Sequence, residues 1–180
     1  MTERFTVGLV VTNRHGVLNR IAGLYSKRGY NIDSLAVGET EDPAYSRMTI
    51  VSSGDQYIRK QIVRQLKKLY DVKAAALIDD ETRISVEHLL IKLKTGSVQT
   101  SGIIALINQY GGKVMDIGEG FLVADLTDIP ERIQEFIDKC KPIGIHELCR
   151  SGVLALSGGA DKTLNINNEL EENENGEDVL

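Results

Sequence analysis

Between residues 4 and 80 the apolar positions switch between strand period and helix period in a definite order, and from residue 83 the same order begins again. This repetition constrains the chain most, because each strand or helix must bury one face and their succession leaves few ways to close a core. RFTVGLVV sets Phe5, Val7, Leu9 and Val11 on one side against Thr6, Gly8 and Val10, the alternation of a strand. From Gly16 onward Val17, Leu18, Ile21, Ala22, Leu24 and Tyr25 share a helical face, and KRG supplies basic residues and a stop near Gly29. NIDSLAVGE and YSRMTIVSS are strand-like runs, joined by TEDPAY, whose acids and Pro43 suit an exposed hairpin connection. A second helix carries Ile58, Ile62, Val63, Leu66 and Leu69, and VKAAALID closes the unit as a strand.

The second unit runs through RISVEHLLIKL as a strand and GIIALINQY as a helix that ends at GG. KVMDI and FLVADL then pair through the tight turn GEG. DIPERIQEFIDKC follows as a helix with Asp128 as its cap and a proline in its first turn, and IGIHEL closes the set. Two successive βαββαβ units predict an α+β chain of two ferredoxin-like domains, over 4–80 and 83–157, joined near DDETR. Residues 158–180 read as an acidic, disordered tail: the last twenty residues hold seven acids against Lys162 alone and have little apolar content. Of the formal net charge of -5, that stretch accounts for -6, which leaves the body near +1.

These features exclude several function classes. No apolar run approaches the roughly 18 to 20 residues of a membrane span, and the start lacks the pattern of a secretory signal, so the expected location is the cytoplasm. Cys140 and Cys149 form no CxxC and have no histidines at metal spacing, and they read as small buried residues. A nearly neutral body gives no electrostatic case for nucleic acid or a membrane surface. The RNA-recognition fold shares the element order, but SRMTIVSS has neither the stacking aromatics nor the basic face it requires. GxSxG, HExxH, GxxxxGK[ST] and GxGxxG after a strand are all missing. Arg14 or Arg20 could bind phosphate in a small hydrolase of this fold, yet no nucleophile accompanies them. His88 and His146 read as packed or surface residues, and ETEDP as a solvated hairpin tip without the spacing of a calcium loop.

The best chemical candidate is TNRHG, where the first strand turns into the first helix. Helix N-terminal N–H groups near Gly16, Val17 and Leu18 suit a carboxylate, and Gly16 allows close backbone approach. Asn13, and Asn31 in GYNI, each offer a carbonyl acceptor and an amide donor, enough to hold the two ends of a free amino acid. Singly, each of these residues also reads as turn or cap punctuation. The second unit has KTGSVQTSG and GGKV at the matching points, so the glycine turns recur and the asparagines do not, which shifts weight toward a ligand role.

The run NRHGVLNRIAGLYSKRGYNIDSLAVGETEDPAYSRMTI, together with RSGVLAL at 150–156, resembles the small regulatory subunit of acetolactate synthase, or acetohydroxyacid synthase, whose first unit is an ACT domain. The resemblance covers residues 4 to about 157. It departs from the wider ACT pattern in having Asn13 and His15 where many ACT domains have aspartate and proline. It implies a non-catalytic partner of a large catalytic subunit, the latter using thiamine diphosphate, magnesium and FAD, with no cofactor in this chain. It also implies activation of that enzyme and feedback inhibition by a branched-chain amino acid, valine foremost. The implied effector contacts are Asn13, Gly16, Val17, Asn31 and Ile32, with His15 as an optional addition, the last asparagine and isoleucine coming from the second strand. The implied assembly is a homodimer through the ACT domains, with Asn13 of one chain facing Asn31 of the other. A free-standing ACT-type sensor for a different target enzyme is the alternative.

Overall fold

The computed structural model describes residues 3–96, 100–159 and 164. The chain divides into two compact units, Met1–Ile84 with Ala155–Leu180, and Ser85–Leu154. Both are ferredoxin-like, each a four-stranded antiparallel sheet with two helices in βαββαβ order.

The first unit contains β1 (Glu3–Thr12), α1 (Val17–Arg28), β2 (Ser34–Glu39), β3 (Tyr45–Gly54), α2 (Gln56–Leu66) and β4 (Val72–Ile78), with strands ordered β2-β3-β1-β4. Glycines at φ 81° and 69°, Gly16 and Gly29, bracket α1. At its end the N–H of Gly29 donates to Ser26 and that of Tyr30 to Tyr25, so the left-handed glycine satisfies carbonyls that would otherwise be orphaned. Asp55 caps α2 by accepting from the Ile58 N–H at 2.8 Å. Phe5, Leu9, Ile21, Tyr25, Ile50 and Ile62 pack between sheet and helices, each contributing about 1.5 to 3 kcal/mol by leaving water.

The alternation along β1 leads one to expect a covered and an open face, yet every residue from Phe5 to Thr12 is buried. The reason lies at the far end of the chain. Arg47 of β3 crosses Gly8 and donates to the carbonyls of Ala155 and Leu164, both at 3.4 Å, and the Leu164 side chain lies over Gly8. A Cβ on Gly8 would sit 2.9 Å from the Arg47 guanidinium and 3.1 Å from Leu164, so the glycine makes room for this second cover. Gly158 also donates to the Thr82 carbonyl at 2.8 Å, so the described part of 158–180 is tied to this unit. The remainder of the expected acidic tail lies outside the described residues.

The second unit contains β5 (Arg83–Lys94), α3 (Thr100–Gln109), β6 (Lys113–Gly118), β7 (Phe121–Asp128), α4 (Pro130–Cys140) and β8 (Ile145–Ser157), ordered β6-β7-β5-β8. Leu89, Ile91, Ile103, Ile107, Leu122 and Phe136 fill its core. The Glu87 carboxyl group is buried there and accepts from two guanidinium nitrogens of Arg150, whose third nitrogen donates to Gln134 at 3.0 Å. Two expectations need correction. Asp128 is not the cap of α4: that position belongs to Ile129, and the Asp128 carboxylate instead accepts from the Ile129 N–H and pairs with Arg132 at 2.7 Å. Cys140 is buried, its thiol pushed up to about 11 by desolvation, but Cys149 is exposed because it lies on the edge strand β8. Among the described residues no helix is long and apolar enough to cross a membrane.

Candidate functional site

Asn13 follows β1 directly and is exposed. Its backbone N–H donates to the Ala44 carbonyl at 2.7 Å, and its side-chain amide donates to the Glu39 carboxylate at 3.0 Å and the Pro43 carbonyl at 3.1 Å. Both amide hydrogens are therefore used to tie the loop to the β2–β3 hairpin, and the side-chain carbonyl is what Asn13 offers outward. That atom accepts, so it suits an ammonium. His15 is exposed in the same turn.

Gly16 reaches φ 81° and is followed by α1 without any side-chain cap. The N–H groups of the first turn carry the positive end of the helix dipole, and no acidic residue stands among them to compete with a ligand carboxylate. Val17 is 3% exposed and its side chain belongs to the core, so only its backbone can meet a ligand. Behind the loop the Asp71 carboxylate accepts from Thr12 at 3.0 Å and from Arg20 at 2.7 Å. Burial works against its charge, but the Arg20 guanidinium and Thr12 hydroxyl outweigh it and hold the carboxyl below the usual carboxylate range. This clamp fixes where β1 ends and α1 begins.

Asn31 and Ile32 do not come from the second strand as expected, because β2 starts only at Ser34. They lie in the connection that the αL glycine Gly29 opens, where Tyr30 and half-buried Ile32 pack on the core and leave exposed Asn31 between them. The Asn31 amide donates to Asp33 at 2.6 Å, and Asp33 also accepts from the Ser53 hydroxyl at 2.6 Å. The Ser53 bond, helped by Asn31 and Arg4, keeps the Asp33 carboxyl below its usual range against the cost of its burial.

The two asparagines thus sit at opposite ends of β2, Asn13 on Glu39 and Asn31 on Asp33. One chain brings Asn13, His15, Gly16 and the Val17 backbone together but leaves Asn31 and Ile32 at the other end of the strand. Glu39 and Asp33, which orient the asparagines, were missed in the sequence reading. Asp33 had a signal in its position two residues after Asn31, the spacing of an Asx-type turn. Glu39 had none beyond closing a strand-like run. The second unit also proves a poor control for Asn31: four residues separate Gly29 from β2, but one separates Gly111 from β6, so Lys113 is a strand residue with no loop to match.

Residues 8–74 match the model for the ACT domain of acetohydroxyacid synthase small subunit-like proteins, and residues 86–159 match the model for the small subunit of acetolactate synthase. The chain belongs to the acetolactate synthase small subunit family. The family's small subunit is regulatory rather than catalytic. An acetolactate synthase small subunit from Mycolicibacterium smegmatis is 37% identical over 158 residues, spanning 88% of this chain and 93% of that one. A probable small subunit from Methanothermobacter thermautotrophicus is 35% identical over 155 residues, with 86% and 92% covered. The crystal structure of the small subunit from Thermotoga maritima superposes with a TM-score of 0.82 at 30% identity, covering 87% of this chain and 98% of that one.

Proposed function

We propose that this small subunit binds the catalytic large subunit of acetolactate synthase, activates it, and confers feedback inhibition by a branched-chain amino acid, valine foremost, in branched-chain amino acid biosynthesis. The thiamine diphosphate, magnesium and FAD of the reaction belong to the large subunit in this reading. The observation that carries it is β2, an edge strand with Asn13 and Glu39 at one end and Asn31 and Asp33 at the other. Its sequence SLAVGE has no lysine or proline, and Val37 is 48% exposed, so it is unprotected unless a strand pairs with it.

Antiparallel pairing of β2 with β2 of a second copy about a twofold axis sets the start of one strand beside the end of the other. Asn13 of one copy then meets Asn31 of its neighbour, twice per dimer. In each site the Asn13 carbonyl takes the ammonium, the first turn of α1 takes the carboxylate, and Asn31 closes from across the seam. The apolar side chain rests by Ile32, with His15 at the rim. Effector binding then changes how two copies meet, and a coupling of about 1 to 3 kcal/mol to the large subunit suffices for regulation.

The test is Asn13→Ala, assayed with the large subunit across a valine titration. Activation persists and inhibition is lost. Inhibition at unchanged valine concentration removes Asn13 from the site.

A further inference from the structure

Helix α2 and the two residues after it contain Arg59, Lys60, Arg64, Lys67 and Lys68 and no acid. Lys60, Arg64 and Lys67 recur at helical spacing and share one face. They rim a groove of about 510 Å³ between α2 and β4, whose apolar floor includes Val63 and Leu77, with the exposed ring of Tyr57 beside it. Among the described residues the lining holds three cations and no carboxylate. Such a surface fits an acidic segment that brings one apolar side chain to the floor.

The chain carries a segment of that chemistry. Residues 165–180 read NINNELEENENGEDVL, with six acids, no lysine or arginine, and Leu170 between Glu169 and Glu171. The segment leaves from a suitable place. Leu164 lies over Gly8 next to Ile78, and Ile78 follows Leu77 on β4, pointing to the opposite face of the sheet. Because β4 is the outermost strand, a chain leaving Leu164 has only to round one edge to reach the groove. The five residues from Leu164 to Glu169 span up to about 17 Å when extended.

We infer that residues 165–180 dock in the α2–β4 groove of their own chain, Leu170 on Val63 and Leu77 and the flanking glutamates along Lys60, Arg64 and Lys67. The tether supplies an effective concentration on the order of millimolar, so pairs that are individually weak and screened by salt suffice. The tail then acts as a built-in competitor, and an acidic segment from any other protein reaches the groove only by displacing it.

The full-length protein at low salt tests this by zero-length carbodiimide coupling of amines to carboxylates, read by peptide mass spectrometry. Mixing ¹⁵N-labelled with unlabelled chains separates links within a chain from links between chains. The expected products join Lys60 and Lys67 to Glu169, Glu171 or Glu172 within one chain. Their yield falls about fivefold in Arg64→Glu, which reverses an exposed charge but leaves the coupled lysines in place, and by a similar factor in 0.5 M salt. Leu170→Ser keeps every charge, and it lowers the yield about threefold by removing the apolar anchor. Links spread evenly over lysines elsewhere, links only between chains, or yields unmoved by both variants would overturn the assignment. None of these readings depends on valine or on the large subunit, so the proposed regulatory function stands or falls separately.

Discussion

If each effector is held by Asn13 of one copy and Asn31 of the other, two defective variants must repair each other in a mixed dimer. The partners of the two asparagines, Glu39 and Asp33, stand six residues apart along β2, about 20 Å at about 3.3 Å per residue. No single amino acid spans that distance, so a site within one chain could use one asparagine only. Removing a hydrogen bond to a charged ligand group costs about 1.5 to 3 kcal/mol, which is about tenfold to a hundredfold in Kd. Dimers of Asn13→Ala or of Asn31→Ala alone should therefore bind valine about tenfold to a hundredfold more weakly than the wild type. In an equal mixture after subunit exchange, about half the dimers are mixed, each with one site lacking both asparagines and one site intact. Calorimetric titration should then recover about a quarter of the wild-type stoichiometry, at wild-type affinity, and this fraction should be absent before exchange. A mixture that never regains a tight-binding population refutes the seam. So does wild-type binding by either pure variant, since its asparagine would then lie outside the site.

Other perturbations probe the supports of the site and the independence of the units. Gly16→Ala forces a side chain into φ 81° and places a Cβ 3.2 Å from the Arg20 guanidinium; chemical denaturation should show a loss of about 1 to 2 kcal/mol, with weaker valine binding. Asp71 has a folded pKa below its ordinary 3.8, so it stabilises the first unit above that value and the contribution is lost as pH falls through the lower folded value. Asp71→Asn should therefore lower Tm at pH 7 and flatten its decline below about pH 4, and parallel pH–Tm curves for variant and wild type would contradict this. Phe136→Ala empties the core of the second unit and should cost about 3 to 5 kcal/mol there, while calorimetric valine binding by the first unit persists. Arg150→Ala leaves the buried Glu87 carboxylate without its counter-ion, and denaturation of the second unit should shift by about 3 kcal/mol.

Element order and both cores were legible in the sequence because period and burial are local. Phe5, Leu9 and Ile21 in one unit, and Ile91, Ile107 and Phe136 in the other, sit where the spacing of apolar residues places them. Gly16 and Gly29 were equally legible, since a left-handed residue at a helix end has a strong glycine preference. What escaped was set by chain segments remote in sequence. The second face of β1 is buried by Arg47, Ala155 and Leu164, and nothing within RFTVGLVV announces that cover except a glycine at position 8. Asn13 was legible as a polar residue in a turn, but its orientation depends on Glu39 and Pro43, 26 and 30 residues away. The start of β2 was misplaced because NIDSLAVGE looks uniformly strand-like, whereas Asp33 spends its backbone N–H on Val51 and its carboxylate on Ser53 and Asn31 before the ladder begins.

The two units differ at the edge strands β2 and β6, and the difference favours β2 as the pairing edge of the proposed dimer. In the first unit β2 pairs with β3 without a shift from Ser34 opposite Val51 to Glu39 opposite Ser46, so the strand runs without a bulge. In the second unit β6 holds the equivalent place, yet its register slips between Val114 and Asp116, and Lys113 and Asp116 put charges on a six-residue strand. A bulge twists a strand away from a would-be neighbour and charges penalise edge-to-edge approach, the two devices by which sheets avoid unwanted pairing. The same fold, built twice in one chain, therefore carries a bulge at β6 and none at β2, whose one charge, Glu39, stands at its end. The regular edge is the one flanked by the asparagines, so in the proposed dimer an amino acid and a second copy of the chain would use the same strand. In that proposal effector binding has a direct lever on assembly: moving Glu39 from Asn13, as in Glu39→Ala, should weaken valine affinity and raise the dimer dissociation constant together. Sedimentation equilibrium and calorimetry on that one variant check the link, and a change in either quantity without the other breaks it.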